Sequence, residues 1–265
     1  MSQDEFFALI VGLVAGGAFW ARWCYRALGP GELYGSTASR WALWLAPVAC
    51  ASALFILLVA FAASDVRTSG TYLFMYMVIG AAWVGAATIT FPLLGLFPLI
   101  DIPRPRGGPA SLLTAAALLS VTLCYAGGNF GDGPGWWVVV FCAAISTLSL
   151  LGLWGLANLA GRCTEHVVID RSPACAVRLG ACLLAASAVL GRAVAGDWTT
   201  AQAAVADFVA LGWPAAAIMA FAAFTSLLFG PRPSMPRPFV ILFGIPPALM
   251  ALGGAAAWLV IVGWW

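Results

Sequence analysis

The chain has 265 residues, 63% of them hydrophobic and only 8% charged, with a net charge of +2. That balance excludes a soluble domain, which needs far more polar residues to cover its surface, and the charge is too small to point to nucleic acid. All twelve cations are arginine. A permanently charged, bidentate donor suits carboxylates and lipid phosphates, although a GC-rich coding bias would produce the same replacement.

The chain begins MSQDEFF, with acids before the first apolar run and Arg22 and Arg26 after it. A secretory signal has its positive charge first, so this reads as a retained first span. Apolar runs of at least about 18 residues, the length needed to span a bilayer, recur to the end of the chain. Eight helices are predicted: Glu5–Trp23, Trp41–Ala63, Thr71–Leu99, Pro109–Ala126, Gly135–Ala157, Cys175–Ala195, Thr199–Phe229 and Phe239–Val262. The predicted fold is therefore all-α, a polytopic transmembrane helix bundle. The third and seventh helices exceed a bilayer's thickness, and Pro92 and Pro214 inside them predict kinks.

Loop arginines set an orientation. Arg22, Arg26, Arg40, Arg104, Arg106, Arg162, Arg171, Arg178, Arg232 and Arg237 fall on one side, Arg67 and Arg192 on the other. The first side is predicted cytoplasmic and both termini extracytoplasmic. The outer loops SDVRTSG, GGNFGDGPG and GDWTT are short and rich in turn formers. Trp136, Trp137, Trp264 and Trp265 suit an interfacial aromatic belt at that face.

Sliding the chain by 132 residues brings its halves into register. Ala49-Cys50 meets Ala181-Cys182, Asp65 meets Asp197, Thr68 meets Thr200 and Gly80 meets Gly212; one residue further on, Pro103-Arg104-Pro105 meets Pro236-Arg237-Pro238. The eight helices thus read as two parallel four-helix repeats, residues 1–130 and 131–265. An even number of helices per unit puts both copies in the membrane in the same sense, about a pseudo-twofold axis along the membrane normal.

The stretch from Asp170 to Asp207 concentrates charge in and beside apolar helix. Arg178 and Arg192 lie about 21 Å apart along one helix and nearly on one face. Arg178, at the cytoplasmic end, is expected to snorkel to lipid phosphate, and Arg104 and Arg237 in the Pro-Arg-Pro segments are further candidates for lipid-phosphate contact. Those segments also suit docking of a cytoplasmic partner. Arg192 and Asp207 fall at similar depth in an antiparallel hairpin. An unpaired charge there costs at least about 2.5 kcal/mol, so an intramembrane ion pair is expected. It reads either as a helix-registering bridge or as a gate or binding site on a polar cavity. Ala60 and Met75 stand at the matching positions of the first repeat, so any such site belongs to the second. Asp65 and Asp197 are expected to cap the helices that follow them.

Enzyme signatures are not found. The single histidine, His166, reads as a solvated loop residue and excludes paired-histidine haem ligation within the chain. There is no HExxH, no GxSxG and no phosphate-cradling glycine loop with lysine. The seven cysteines are scattered without metal-like spacing and read as packing residues. No catalytic residue, cofactor or metal is expected.

The segments TEHVVIDRSPACAVRLGACLL and DFVALGW carry a resemblance. Each half is similar to the four-helix domain of unknown function found in tandem in YjfL-type bacterial inner-membrane proteins. The match lies in Asp170 to Gly180 and in Asp207, Phe208, Gly212 and Trp213. The first half departs from it, with Met75 in place of the acid and Ala81 in place of the tryptophan. The resemblance implies an inner-membrane protein without established activity, loosely linked to envelope stress.

These readings favour a non-enzymatic membrane component: an accessory, scaffold or envelope-stress-associated protein. Its expected partners are the lipid bilayer and other membrane proteins or further copies of itself. The alternative is a small-solute or ion permeation protein using Arg192 and Asp207.

Overall fold

A computed structural model describes residues 1–28, 37–103, 106–131, 135–197, 200–231 and 239–263, those from 37 to 41 as backbone only. Its helices are α1 (Gln3–Leu28), α2 (Thr37–Phe61), α3 (Ser64–Thr68), α4 (Gly70–Ala87), α5 (Pro98–Asp101), α6 (Gly108–Gly127), α7 (Trp136–Gly161), α8 (Cys163–Val168), α9 (Pro173–Ala193), α10 (Ala201–Phe229) and α11 (Ile245–Val262). Eight of them are long and apolar enough to cross a membrane, the last extended by a π-helical turn at Val240–Gly244. The fold is an all-α bundle, and among the described residues no strand is formed; Ala62 and Phe130 make one isolated bridge.

Local chemistry explains several boundaries. Ser2 and Glu5 form a reciprocal capping box at the start of α1: Ser2 N–H donates to the Glu5 carboxylate at 2.6 Å, and Glu5 N–H donates to Ser2 Oγ at 3.2 Å. Ser172 caps α9 ahead of Pro173, accepting from Cys175 N–H at 3.4 Å. Thr200, not Asp197, caps α10 by accepting from Ala203 N–H. Asp65 likewise does not cap α4. It sits inside the short α3 and accepts from its neighbour Val66 N–H.

The long third helix expected to kink at Pro92 instead stops at Ala87. Thr88 and Thr90 hydroxyls bond back to the Gly85 and Ala87 carbonyls, at 2.6 and 2.7 Å, and compete with continuation of the helix. Pro92 is the second residue of a separate 3₁₀ turn, Phe91–Leu94, closed by Gly95 in the left-handed region. This break creates the irregular segment that later forms one wall of a cleft.

The centre of the molecule is the pair α6 and α9. In their most apolar windows 78% and 83% of residues are buried, against 22% in α1. Small residues make this contact. A Cβ on Gly127 would lie 2.2 Å from the Gly191 carbonyl oxygen, one on Gly191 2.8 Å from that of Leu123, and one on Gly180 3.1 Å from Ala116 Cβ. Only glycine lets the backbones approach so closely, the packing mode that replaces the hydrophobic effect between helices in lipid.

The helices α2, α6, α9 and α11 stand side by side in that order and run in the same sense. The helix α4 packs mainly on α1, and α10 on α7 and α9. The ends of the row, α2 and α11, make no seam comparable to that of α6 with α9 among the described residues. Among the described residues these four helices thus form an open row.

Tryptophans brace the interior. Trp20 donates to the Ala81 carbonyl at 2.8 Å, Trp83 to Thr147 Oγ1 at 3.1 Å and Trp258 to the Leu211 carbonyl at 3.1 Å. Trp23 donates at 2.8 Å to the carbonyl of Leu43, whose helical partner position is Pro47. Proline has no N–H to give, so the indole takes its place. Of the four belt tryptophans expected, Trp137 is exposed at the start of α7 and Trp136 is half-buried, while Trp264 and Trp265 lie outside the described residues.

Candidate functional site

The structure does not bring Arg192 and Asp207 together. The face of α10 turned to the bundle carries Ala204, Phe208, Gly212, Ala215 and Met219. Asp207 is one residue, hence about 100°, from Phe208 and is exposed. Arg192, half-buried in the last turn of α9, donates from Nε to the Gly263 carbonyl at 2.9 Å. A guanidinium between two helix C-termini meets the negative ends of both dipoles. It also borders a cavity of about 130 Å³ lined by Leu57, Phe61, Leu123 and Leu259, so its surroundings are largely apolar.

Arg178 does not reach the lipid boundary either. It is 2% exposed, donating from Nη1 to the Phe243 carbonyl at 2.9 Å and from Nη2 to Cys175 Sγ at 3.5 Å. The helical partner of Phe243 would be residue 247, which is proline, so Pro247 frees a carbonyl for Arg178 just as Pro47 frees one for Trp23. A Cβ on Gly244 would lie 3.0 Å from Ala174 Cα, which shows how closely the π-helical turn approaches α9. Arg104 and Arg237 lie outside the described residues.

The polar groups instead gather where α4 and α7 end, the end that carries most of the arginines. An open cleft of about 740 Å³ lies between the 3₁₀ turn and α5 on one side and the end of α7 with α8 on the other. Its framework is hydrogen-bonded throughout. Asn158 Nδ2 donates to the Leu94 carbonyl at 3.0 Å, while its Oδ1 accepts from Thr164 N–H at 3.0 Å and Thr164 Oγ1 at 2.9 Å. Buried Trp154 donates to Thr164 Oγ1 at 2.9 Å and packs on Phe91, with ring centroids 5.8 Å apart. The buried Asp101 carboxylate accepts from Phe97 N–H at 2.9 Å, and Arg171 donates to the Asp101 carbonyl at 3.0 Å. One asparagine and one aspartate thus fix both walls.

At the rim, Arg162 donates through Nε and Nη2 to the two carboxylate oxygens of Glu165, the first at 2.5 Å. The Arg162 hydrogen bond and charge hold the Glu165 carboxyl below its usual range, and the same bond raises the Arg162 guanidinium. Arg162 occupies the left-handed region at φ 51°, joining α7 to α8. Among the described non-glycine residues only Arg106, Arg162 and Arg171 have positive φ. Three arginines at one end of the bundle hold a conformation that glycine adopts without strain.

His166 is not the solvated residue expected. Its Nδ1 lies 2.7 Å from the Asp170 carboxylate, its side chain is 15% exposed, and its Nε2 abuts Gly230. Among the described residues no group of histidine, cysteine or acidic side chains is arranged to hold a metal ion, and the cysteines are unbridged. The cleft was not anticipated from the sequence. Its signal was the dense polar run Asn158, Arg162, Thr164, Glu165, His166, Asp170 and Arg171 following the fifth span.

Compared with protein-family models, curated proteins and solved structures, the chain matches none.

Proposed function

We propose that the protein is a non-enzymatic integral component of a bacterial inner membrane, an accessory or scaffold subunit, with its arginine-rich end cytoplasmic and both termini outside. The observation that carries this reading is the α6–α9 seam. The middle of the bundle is filled by helix backbones in glycine-mediated contact, and the outer helices turn apolar faces toward lipid. Permeation through an Arg192–Asp207 site is the second reading, with Arg192 Nε donating to the Gly263 carbonyl and Asp207 exposed.

Under this reading the two halves descend from one four-helix unit. The contacts α1–α4 and α2–α6 in the first half have counterparts in α7–α10 and α9–α11 in the second. The resemblance to the YjfL-type domain belongs with this proposal and adds its association with envelope stress.

The experiment is reconstitution of the purified protein in vesicles, followed by measurement of ion and small-solute flux against empty vesicles. The scaffold reading expects no protein-dependent flux, together with stoichiometric recovery of a defined membrane partner on gentle extraction. Flux that scales with protein would overturn it. Impermeant thiol labelling of Ser2→Cys in intact cells tests the orientation, with labelling expected.

A further inference from the structure

The cleft between the 3₁₀ turn and α8 combines features that a structural joint does not need. Leu93 and Leu159, each 85% exposed, and Ile169, 67% exposed, form an outward apolar lip where the spans end. Immediately beside them stands the Arg162–Glu165 pair, a fixed plus–minus couple. The pair has capacity left. Arg162 engages Glu165 through Nε and Nη2, so Nη1 keeps two donors, and each Glu165 oxygen keeps a lone pair. The floor is already organised by Asn158, Thr164 and Trp154, so a ligand need not order it. The side chain of Arg162 is also displayed from a strained backbone position where glycine would relieve the strain. Such an outlier points from conformation toward use.

We propose that this cleft seats the headgroup of one membrane phospholipid that carries both a phosphate and an ammonium. Its phosphate lies against Arg162 Nη1, its ammonium against Glu165, and its upper acyl segments lie along Leu93 and Leu159. Charge complementarity selects this occupant. A zwitterion aligned antiparallel to the Arg–Glu couple satisfies both charges, whereas an anionic headgroup without an amine leaves the carboxylate facing a like charge or a hydroxyl. The position at the ends of two spans puts the couple at headgroup depth and the lip at acyl depth. The inference requires insertion in a bilayer and is independent of the scaffold reading.

Native mass spectrometry of the detergent-purified full chain, titrated with phosphatidylethanolamine and with phosphatidylglycerol, tests it. Wild type is expected to retain one phosphatidylethanolamine in preference to phosphatidylglycerol by up to about fivefold, the scale of a solvent-screened charge pair. Glu165→Gln should bring that ratio to about one. Arg162→Gly should weaken both lipids while leaving the thermal midpoint near that of wild type, because relief of the positive φ offsets the lost pair. An equal ratio in wild type, or a preference that survives Glu165→Gln, overturns the proposal. If Glu165→Gln does not fold, photo-cross-linking of wild type with a diazirine-bearing phosphatidylethanolamine decides. Label on residues 93–101 and 155–169 supports the site, and label confined to the remaining lipid-facing helices overturns it.

Discussion

Gly127→Ala is the sharpest test of how the bundle is held together. The added methyl would lie 2.2 Å from the Gly191 carbonyl oxygen and 2.5 Å from Gly191 Cα. Carbon contacts settle at about 3.5–4.0 Å, so α6 and α9 must part by roughly 1 Å. A radial gap of that size forfeits a quarter to a half of each atom pair's well of about 0.1–0.2 kcal/mol. Over about 40 pairs along the seam the loss is about 1–4 kcal/mol, spanning the usual range for overpacking. Nothing flexible stands in the way to yield, because the obstructing atoms are backbone. The assay is unfolding in mixed micelles by increasing dodecyl sulfate, followed by tryptophan fluorescence. Gly152→Ala is the control: a methyl there meets nothing within 4 Å, so it should be neutral or stabilising by up to about 1 kcal/mol. If Gly127→Ala unfolds no earlier than Gly152→Ala, the seam is not what holds the halves together.

Three further outcomes follow from the same geometry. Asp207→Ala should change stability by no more than about 0.5 kcal/mol, and its combination with Arg192→Ala should be additive in a thermal double-mutant cycle; coupling between them would restore the ion pair. Trp23→Phe should cost about 1–3 kcal/mol by orphaning the Leu43 carbonyl, and adding Pro47→Ala should recover part of that, since residue 47 then offers its own N–H. The Glu165 carboxyl is lower in the folded chain than in the unfolded one, so its pairing stabilises above the unfolded carboxylate value of about 4.3 and is lost as pH falls through the depressed folded value. Wild type and Glu165→Gln should therefore differ in melting temperature at neutral pH and converge in acid.

The bundle was legible because spans announce themselves through apolar length alone, and all eight predicted helices have counterparts. Their ends were less so. Thr88 and Thr90 stop α4 by bonding back to the Gly85 and Ala87 carbonyls, a competition that hydropathy does not register. The charged positions were misplaced for a common reason. In lipid an arginine was expected to seek a carboxylate or a phosphate, yet Arg178 donates to the Phe243 carbonyl and Arg192 Nε to that of Gly263. Pro247 marked the Phe243 carbonyl as available, but the contact joins residues 65 positions apart and only packing shows it. The cleft escaped for the same reason, since its walls come from segments far apart in the chain.

The seam between α6 and α9 also has a consequence for biosynthesis. Ribosomes deliver α6 first, and α9 begins 46 residues after α6 ends, from Gly127 to Pro173. At about 5–20 residues per second that interval is roughly 2–9 s. During it the face of α6 that ends on Gly191 has no permanent neighbour. Its small side chains make it only weakly attractive to lipid and open to any helix that can approach closely. The nascent first half is therefore the stage at which this protein is most exposed to wrong pairing, and the stage at which a membrane chaperone would have something to hold.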